Sequence, residues 1–106
     1  IIDAGITICG GSDCPVTAIE PLVDIAACVN GDNPIRNISV TDALRMYTTN
    51  AAYAAAAEDI KGSLEIGKLA DIVVIDRDPY DYPDSRELYD MKVLYTIKNG
   101  EVIFEA

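Results

Sequence analysis

The hydrophobic positions of this chain change period twice along its length, and each change marks a change of element. Ile6-Thr7-Ile8-Cys9 is a short, mostly β-branched run closed by Gly10-Gly11, which predicts a strand over residues 5–12. If its alternation persists through the glycines, Thr7, Cys9, Gly11 and Asp13 share one face, and Ile6, Ile8 and Gly10 the other. From Leu22 the period lengthens. Leu22, Ile25, Ala26 and Val29 recur at helical spacing, with Pro21 suited to the first turn and Asn30-Gly31 as a stop signal. Residues 31–38 read as a polar loop through Asn33-Pro34. Ser39 then opens a second helix as its N-cap, with Asp42 placed to reach back to the Ser39 N–H, and Val40, Ala43, Leu44 and Tyr47 make its apolar stripe. Thr48-Thr49-Asn50 interrupts that stripe, and Asn50 is expected to cap a short third helix over residues 51–57. A single continuous helix with Asn50 on its wet side is the alternative; the break is preferred because Thr and Asn are weak helix formers.

Beyond Gly62 the period shortens again. Gly62-Ser63-Leu64 and Gly67-Lys68 are turn material, and residues 69–75 form a near-continuous apolar strand broken only by Asp71. Residues 76–90 are an acidic, tyrosine-bearing loop whose charge is expected to be largely solvated. Val93-Leu94-Tyr95-Thr96-Ile97 and Val102-Ile103-Phe104 flank Asn99-Gly100, the commonest short hairpin signal. No internal repeat is visible.

Composition narrows the setting more than the chemistry. A chain of 106 residues, half of them hydrophobic, has the size and the apolar content of one modest domain. Its formal net charge of −10 argues against nucleic acid and against an anionic membrane surface as partners. No apolar run approaches the roughly 18 residues that span a bilayer, and no basic segment precedes an apolar one as in a signal peptide. The chain opens on Ile1-Ile2-Asp3 without an initiator Met, as expected of a segment of a longer parent. Three cysteines, at 9, 14 and 28, are odd in number and irregular in spacing, which argues against a disulfide framework. Cys9 and Cys28 are expected to be small buried hydrophobes, and a reducing, cytoplasmic setting fits best.

The candidate for chemistry is Asp13, at the end of Gly10-Gly11-Ser12-Asp13. The glycines let the backbone approach a ligand, a metal or a neighbouring strand closely. A carboxylate at the carboxyl end of a strand stands where α/β folds and barrels place their active groups. Taken locally, the plainer reading is slightly preferred: Ser12-Asp13 turns the chain before Pro15. With no histidine and no Cys-x-x-Cys, the chain cannot assemble an ordinary catalytic zinc site, which takes about three protein ligands. Ser-His-Asp and Cys-His arrangements are excluded for the same reason. Any partners of Asp13 in catalysis lie outside this chain.

Three motifs in order change the balance. Gly11-Ser12-Asp13-Cys14-Pro15-Val16, then Thr48-Thr49-Asn50-Ala51-Ala52, then Gly62-Ser63-Leu64-Glu65-Ile66-Gly67-Lys68-Leu69-Ala70-Asp71-Ile72-Val73-Val74 resemble the C-terminal end of the amidohydrolase superfamily. The branch they resemble most includes N-acyl-D-amino-acid deacylase-like and uncharacterised metal-dependent hydrolases. Each motif is weak alone, but their order and spacing cover nearly the whole chain. Asp78-Pro79 and the Lys98-Asn99-Gly100-Glu101-Val102 hairpin fit the same pattern.

The resemblance implies an α/β fold: the end of a distorted (β/α)8 barrel followed by strands of a small composite β-sandwich. Residues 1–61 would supply the last barrel strand and the closing helices, and residues 62–106 the sandwich. It implies a hydrolase of a non-peptide carbon–nitrogen bond using metal-activated water, with a divalent metal, zinc in the first instance, and a small amide-like substrate. Asp13 falls on the family's last-strand aspartate, which ligates a metal and takes the proton of the attacking water. The histidines and the carboxylated lysine or acid that complete such a site lie on earlier strands, so this chain alone is expected to be inactive. Its other partner would be the rest of the parent chain or a second copy.

Cys14, where the family varies, is a conceivable extra thiolate ligand, with a spectator side chain preferred. Asn50 is read as a helix cap, Asp71 as a loop anchor, and Gly62, Gly67 and Gly100 as turn residues. Lys68 follows a glycine but lacks the rest of a phosphate loop, so nucleotide binding is not expected. Two further readings stay open: a non-catalytic relative or binding module on the same scaffold, and a ring deaminase on the same fold.

Overall fold

The computed structural model describes residues 1–83 and 86–106. A 3-10 turn at Ile2–Ala4 leads into an irregular segment over residues 6–12, and then the helical part begins. Helix α1 spans Pro21–Val29 with Pro21 at its start, where a missing N–H costs no intrahelical bond. Asn33 accepts a hydrogen bond from the Ile35 N–H and opens a 3-10 turn at Pro34–Arg36. Helix α2 spans Val40–Tyr47. Ser39 caps it by accepting from the Asp42 N–H at 3.0 Å, and the Ser39 hydroxyl donates to the Asp42 carboxylate at 2.7 Å. The expected box is therefore closed through the hydroxyl of Ser39, not through its N–H.

The break after α2 is real, and it falls at Thr48. That residue leaves helical geometry (φ −127°, ψ −94°), and its hydroxyl donates back to the Leu44 carbonyl at 2.8 Å. Helix α3 follows at Thr49–Ala54, with Thr48 at its N-cap position. Asn50 lies inside α3 and does not cap it, which corrects the sequence expectation. Its side chain is used elsewhere.

The C-terminal part is a three-stranded antiparallel sheet in the order β1 (Ile72–Ile75), β2 (Val93–Lys98), β3 (Glu101–Glu105). The hairpin turns on Asn99 (φ 50°) and Gly100 (φ 83°), and two left-handed residues match the twist of the strands they join. Strand β1 is shorter than the predicted 69–75. The Leu69 N–H turns back to the Ile60 carbonyl at 2.8 Å, and the Asp71 N–H bonds the Leu69 carbonyl, so the chain enters the ladder only at Ile72.

The core sits between the helices, not on the sheet. Ile25, Ala26 and Val29 of α1 meet Val40 and Ala43 of α2, and Leu88 and Met91 close the cluster. Leu88 is 1% exposed and comes from a 3-10 turn at Arg86–Asp90 inside the stretch expected to be a solvated loop. The Tyr89 hydroxyl donates to the Asn30 carbonyl at 3.0 Å, tying that turn to the end of α1. The rest of that expectation holds in part: Asp78 and Asp81 are exposed, Pro79 is buried, and positions 84 and 85 lie outside the described residues.

The sheet, by contrast, is open. Val73, Thr96 and Phe104 lie across one another in the ladder, as do Ile97 and Val102, yet Val73, Val102 and Phe104 are each about half exposed.

Residues 6–12 carry no strand, against the predicted strand at 5–12. Its β-branched composition favours a strand, but a strand is defined by a ladder, and no described strand runs beside it. Cys9 is exposed, contrary to expectation, because the face it shares is uncovered; Cys28 is partly buried against the core.

Candidate functional site

The candidate site is built on the irregular segment over residues 6–12 and the helical corner that grips it. The Gly10 N–H donates to the Met46 carbonyl at 3.1 Å, near the C-terminal end of α2, where helix carbonyls lack intrahelical partners. The Asn50 amide donates to the Ile8 carbonyl at 2.8 Å from the second residue of α3. Gly10 lies directly on the Tyr47 ring, and a Cβ there would overlap the ring carbons and the hydroxyl. Gly10 thus meets the close-approach requirement read from the sequence. Gly11 does not, since a Cβ at Gly11 would meet nothing within 4 Å.

Three residues past Gly10 the chain reaches Asp13, in the left-handed region at φ 50°. Asp and Asn are the residues that visit this region most readily after glycine. The Asp13 carbonyl accepts from the Val16 N–H at 2.9 Å, closing a four-residue turn through a cis Cys14–Pro15 bond. The Thr17 hydroxyl donates to the Ser12 carbonyl at 2.7 Å and braces the same turn. The Asp13 and Cys14 side chains are both exposed. Asp13 follows an irregular segment and not the carboxyl end of a strand as expected, and its backbone does form a turn. The turn occupies the main-chain atoms and leaves the carboxylate projecting into the open.

Beneath Gly10 lies a small titratable group. The Tyr47 hydroxyl is pushed up to about 12, first by burial, then by the negative charge of Asp24, to which it hydrogen-bonds, with Cys28 adding to the effect. Cys28 is raised in the same way, by burial first and by Asp24 second. Tyr47 is therefore a neutral phenol throughout the physiological range, a packing and hydrogen-bonding surface. From the sequence it is only one member of an apolar stripe, and nothing in its spacing points to Gly10.

The remaining motif residues have local duties. The Asp71 carboxylate accepts from the Asn99 N–H at 2.8 Å, the anchoring role expected of it. Lys68 donates to Ser63 at 2.8 Å and pairs with Glu65 at 3.4 Å, and the Ser63 and Lys68 contacts hold the Glu65 carboxyl below its ordinary range. The Lys68 charge is committed inside the turn.

A shallow depression of about 150 Å³ is lined by Ile6, Thr7, Ile8, Arg45 and Asn50, and Asp13 does not border it. Among the described residues no three His, Cys, Asp or Glu side chains gather as a metal site. As a donor set, Asp13 fits one coordination position of a hard divalent cation and no more. No helix among the described residues is long and apolar enough to cross a membrane.

Residues 1–104 match the model of the amidohydrolase family. The chain is 33% identical over 112 aligned positions to an N-substituted formamide deformylase of Arthrobacter pascens, covering 99% of this chain and 20% of that protein. It is 39% identical over 80 positions to the imidazolonepropionase of Symbiobacterium thermophilum, covering 71% of this chain and 17% of that one. The crystal structure of an amidohydrolase from Thermotoga maritima MSB8 superposes with a TM-score of 0.75 at 27% identity, over 99% of this chain and 24% of the other. The matched region therefore spans about a sixth to a quarter of the length of these proteins.

Proposed function

The chain belongs to the amidohydrolase family, and on that premise we propose that the intact protein hydrolyses a non-peptide carbon–nitrogen bond of a small amide-like substrate. Asp13 is its general base, accepting the proton of the attacking water. Residues 1–61 are the end of the barrel and its closing helices, and residues 62–106 contribute to a composite β-sandwich. The partner that covers the open sheet is the rest of the parent chain. The relatives support this reaction class, since one is named for removing a formyl group from an N-substituted formamide.

The observation that carries the reading is the conformation of Asp13. A non-glycine residue at φ 50° costs of order 1 kcal/mol, and such outliers gather at functional sites. Here the cost leaves an exposed carboxylate beyond a segment hydrogen-bonded to α2 and α3.

The superfamily generally uses divalent metal ions. Asp13 would give one oxygen to such an ion, which when bound polarises the scissile carbonyl and lowers the pKa of water. The other ligands would come from outside this chain, so the 106 residues alone turn over nothing and retain no zinc. The leaving nitrogen then takes up a proton from the same carboxyl, restoring the base.

The test is hydrolysis of an N-substituted formamide and of a cyclic amide by the intact protein, with and without a chelator. Turnover abolished by the chelator and restored by added metal supports the proposal. A well-folded, metal-replete protein that cleaves neither substrate overturns it.

A further inference from the structure

We propose that Tyr47 is a positioning residue for Asp13: its ring is the seat on which Gly10 rests, and it sets how far the following Asp13 stands from the helices. The inference rests on the reading of Asp13 as the general base. It deepens that reading by naming the contact that places the base.

Both partners of the contact lie within this chain. A Cβ on Gly10 would overlap the carbons and the hydroxyl at the tip of the Tyr47 ring. The Gly10 N–H donates to the carbonyl of Met46, the residue before Tyr47, so one helix end holds Gly10 by both backbone and ring. Gly10 is not in the left-handed region, so its own conformation makes no demand for glycine. The demand comes from the ring. A free ring tip would swing aside for a methyl group, but this one is held. Tyr47 is the last residue of α2 and packs against the core cluster, and its hydroxyl hydrogen-bonds to Asp24 of α1. Two helices therefore back the seat.

The seat acts in a direction that strand pairing does not control. On the reading of residues 1–61 as the end of a barrel, neighbouring strands bond to this segment in the plane of the sheet and fix its register. The helices of such a barrel pack outside that sheet, so the Tyr47 ring presses at right angles to the ladder. Pairing sets where the segment lies along its neighbours, and the ring sets its height over the helical layer. A methyl group added at Gly10 lifts the segment, and Asp13, three residues on, moves with it.

The experiment compares Gly10→Ala, Tyr47→Leu, the double variant, Asp13→Asn and Leu88→Ala, a remote core variant, in the intact metal-loaded protein. All are assayed well below their melting temperatures. We expect Gly10→Ala to lower kcat about 10- to 100-fold, the cost of a misplaced catalytic group, while KM changes less than about 3-fold. Amide exchange at residue 10 rises in that variant as its bond to Met46 is strained. Leucine at 47 lacks the ring atoms that the new methyl group would meet. The double variant therefore returns kcat to within about 3-fold of wild type and restores slow exchange at residue 10. Tyr47→Leu alone leaves a hollow under Gly10 and lowers kcat about 3- to 10-fold, and this variant serves if Gly10→Ala does not fold. Leu88→Ala keeps its kcat despite its lower stability; an equal loss there would trace the effect to stability and overturn the proposal. Wild-type kcat in folded Gly10→Ala or Tyr47→Leu, with kcat lost in Asp13→Asn, overturns the seat and spares the base. A double variant no better than Gly10→Ala also overturns the seat. Wild-type kcat in Asp13→Asn overturns the base, and the seat's catalytic role with it.

Discussion

Asp71 and Asn99 stand 28 positions apart in the chain and are joined by one hydrogen bond, from the Asn99 N–H to the Asp71 carboxylate at 2.8 Å. The bond ties the tip of the β2–β3 hairpin to the chain just before β1, and the Gly100 N–H reinforces it by bonding the Ala70 carbonyl at 3.1 Å. A two-residue turn whose residues both have positive φ costs backbone energy, and this carboxylate helps hold it closed. Asp71→Ala should cost about 1 kcal/mol, a typical value for one intramolecular hydrogen bond at an exposed site. Asp71→Asn, which keeps an acceptor, should cost less. Denaturant unfolding measures both, and amide exchange at Asn99 should rise in the alanine variant. Equal stability of Asp71→Ala and wild type would remove Asp71 from the fold's support.

Leu88 is the test of where the core lies. Among the described residues it is the largest fully buried side chain, and it joins the cluster of α1 and α2 residues although it comes from a 3-10 turn. Leu88→Ala should lower stability by about 2–5 kcal/mol through lost burial and a residual cavity. Phe104→Ala, on the half-exposed sheet, should cost far less in this chain by itself. A larger loss at Phe104 than at Leu88 in chemical denaturation would mean that the sheet face, not the helical cluster, is the core.

Tyr47 makes stability depend on alkaline pH. Its folded pKa of about 12 lies above the ordinary value of 10, so the folded state favours the protonated phenol. Below pH 10 both states keep the proton and the contribution is whole. Between pH 10 and about 12 the unfolded chain loses its proton first, and stability falls. The chain has six tyrosines. Absorbance titration should resolve a late-ionising one that Tyr47→Phe removes. The same substitution should flatten the loss of melting temperature over that window. A titration with no tyrosine ionising above the rest would contradict the burial of the Tyr47 hydroxyl beside Asp24.

The legible parts of this fold were those dictated by neighbours in sequence. Ser39 announces the start of α2, Pro21 that of α1, and Asn99-Gly100 the hairpin, because caps and turns are settled within four residues. Asp71 as an anchor was readable from its lone polar place in an apolar run. The strand expected at residues 5–12 was not found, because a strand also needs a partner, which composition cannot supply. Leu88 was hidden among charged and tyrosine residues, where a single apolar side chain gives no period. At the candidate site, Asp13 was visible by its motif, but its φ of 50° was not. Asn50 and Tyr47 were visible as helix residues only, since their contacts with Ile8 and Gly10 reach back across about 40 positions.

Asp13 is where the two readings of the sequence part company, and its backbone angle supplies the means to separate them. At φ 50° asparagine and glycine are tolerated, whereas alanine is disfavoured by about 1–2 kcal/mol. Asp13→Asn therefore keeps the turn, the shape and the hydrogen bond from Val16, which uses only the main chain. What it removes is the carboxylate's capacity to accept a proton. In the intact protein it should fold with a melting temperature near that of the wild type and lose about two to four powers of ten in kcat. KM should change much less, because a proton acceptor acts in the transition state and contributes little to ground-state binding. Asp13→Gly should behave likewise, and Asp13→Ala should lose stability as well as turnover. If Asp13 serves only to turn the chain, the order reverses: the asparagine variant keeps its kcat, and the alanine variant is merely less stable. Melting temperature and kcat measured on the same three proteins decide between them. An active Asp13→Asn enzyme would leave the carboxylate as a turn residue, and the search for the base would move to the chain outside these residues.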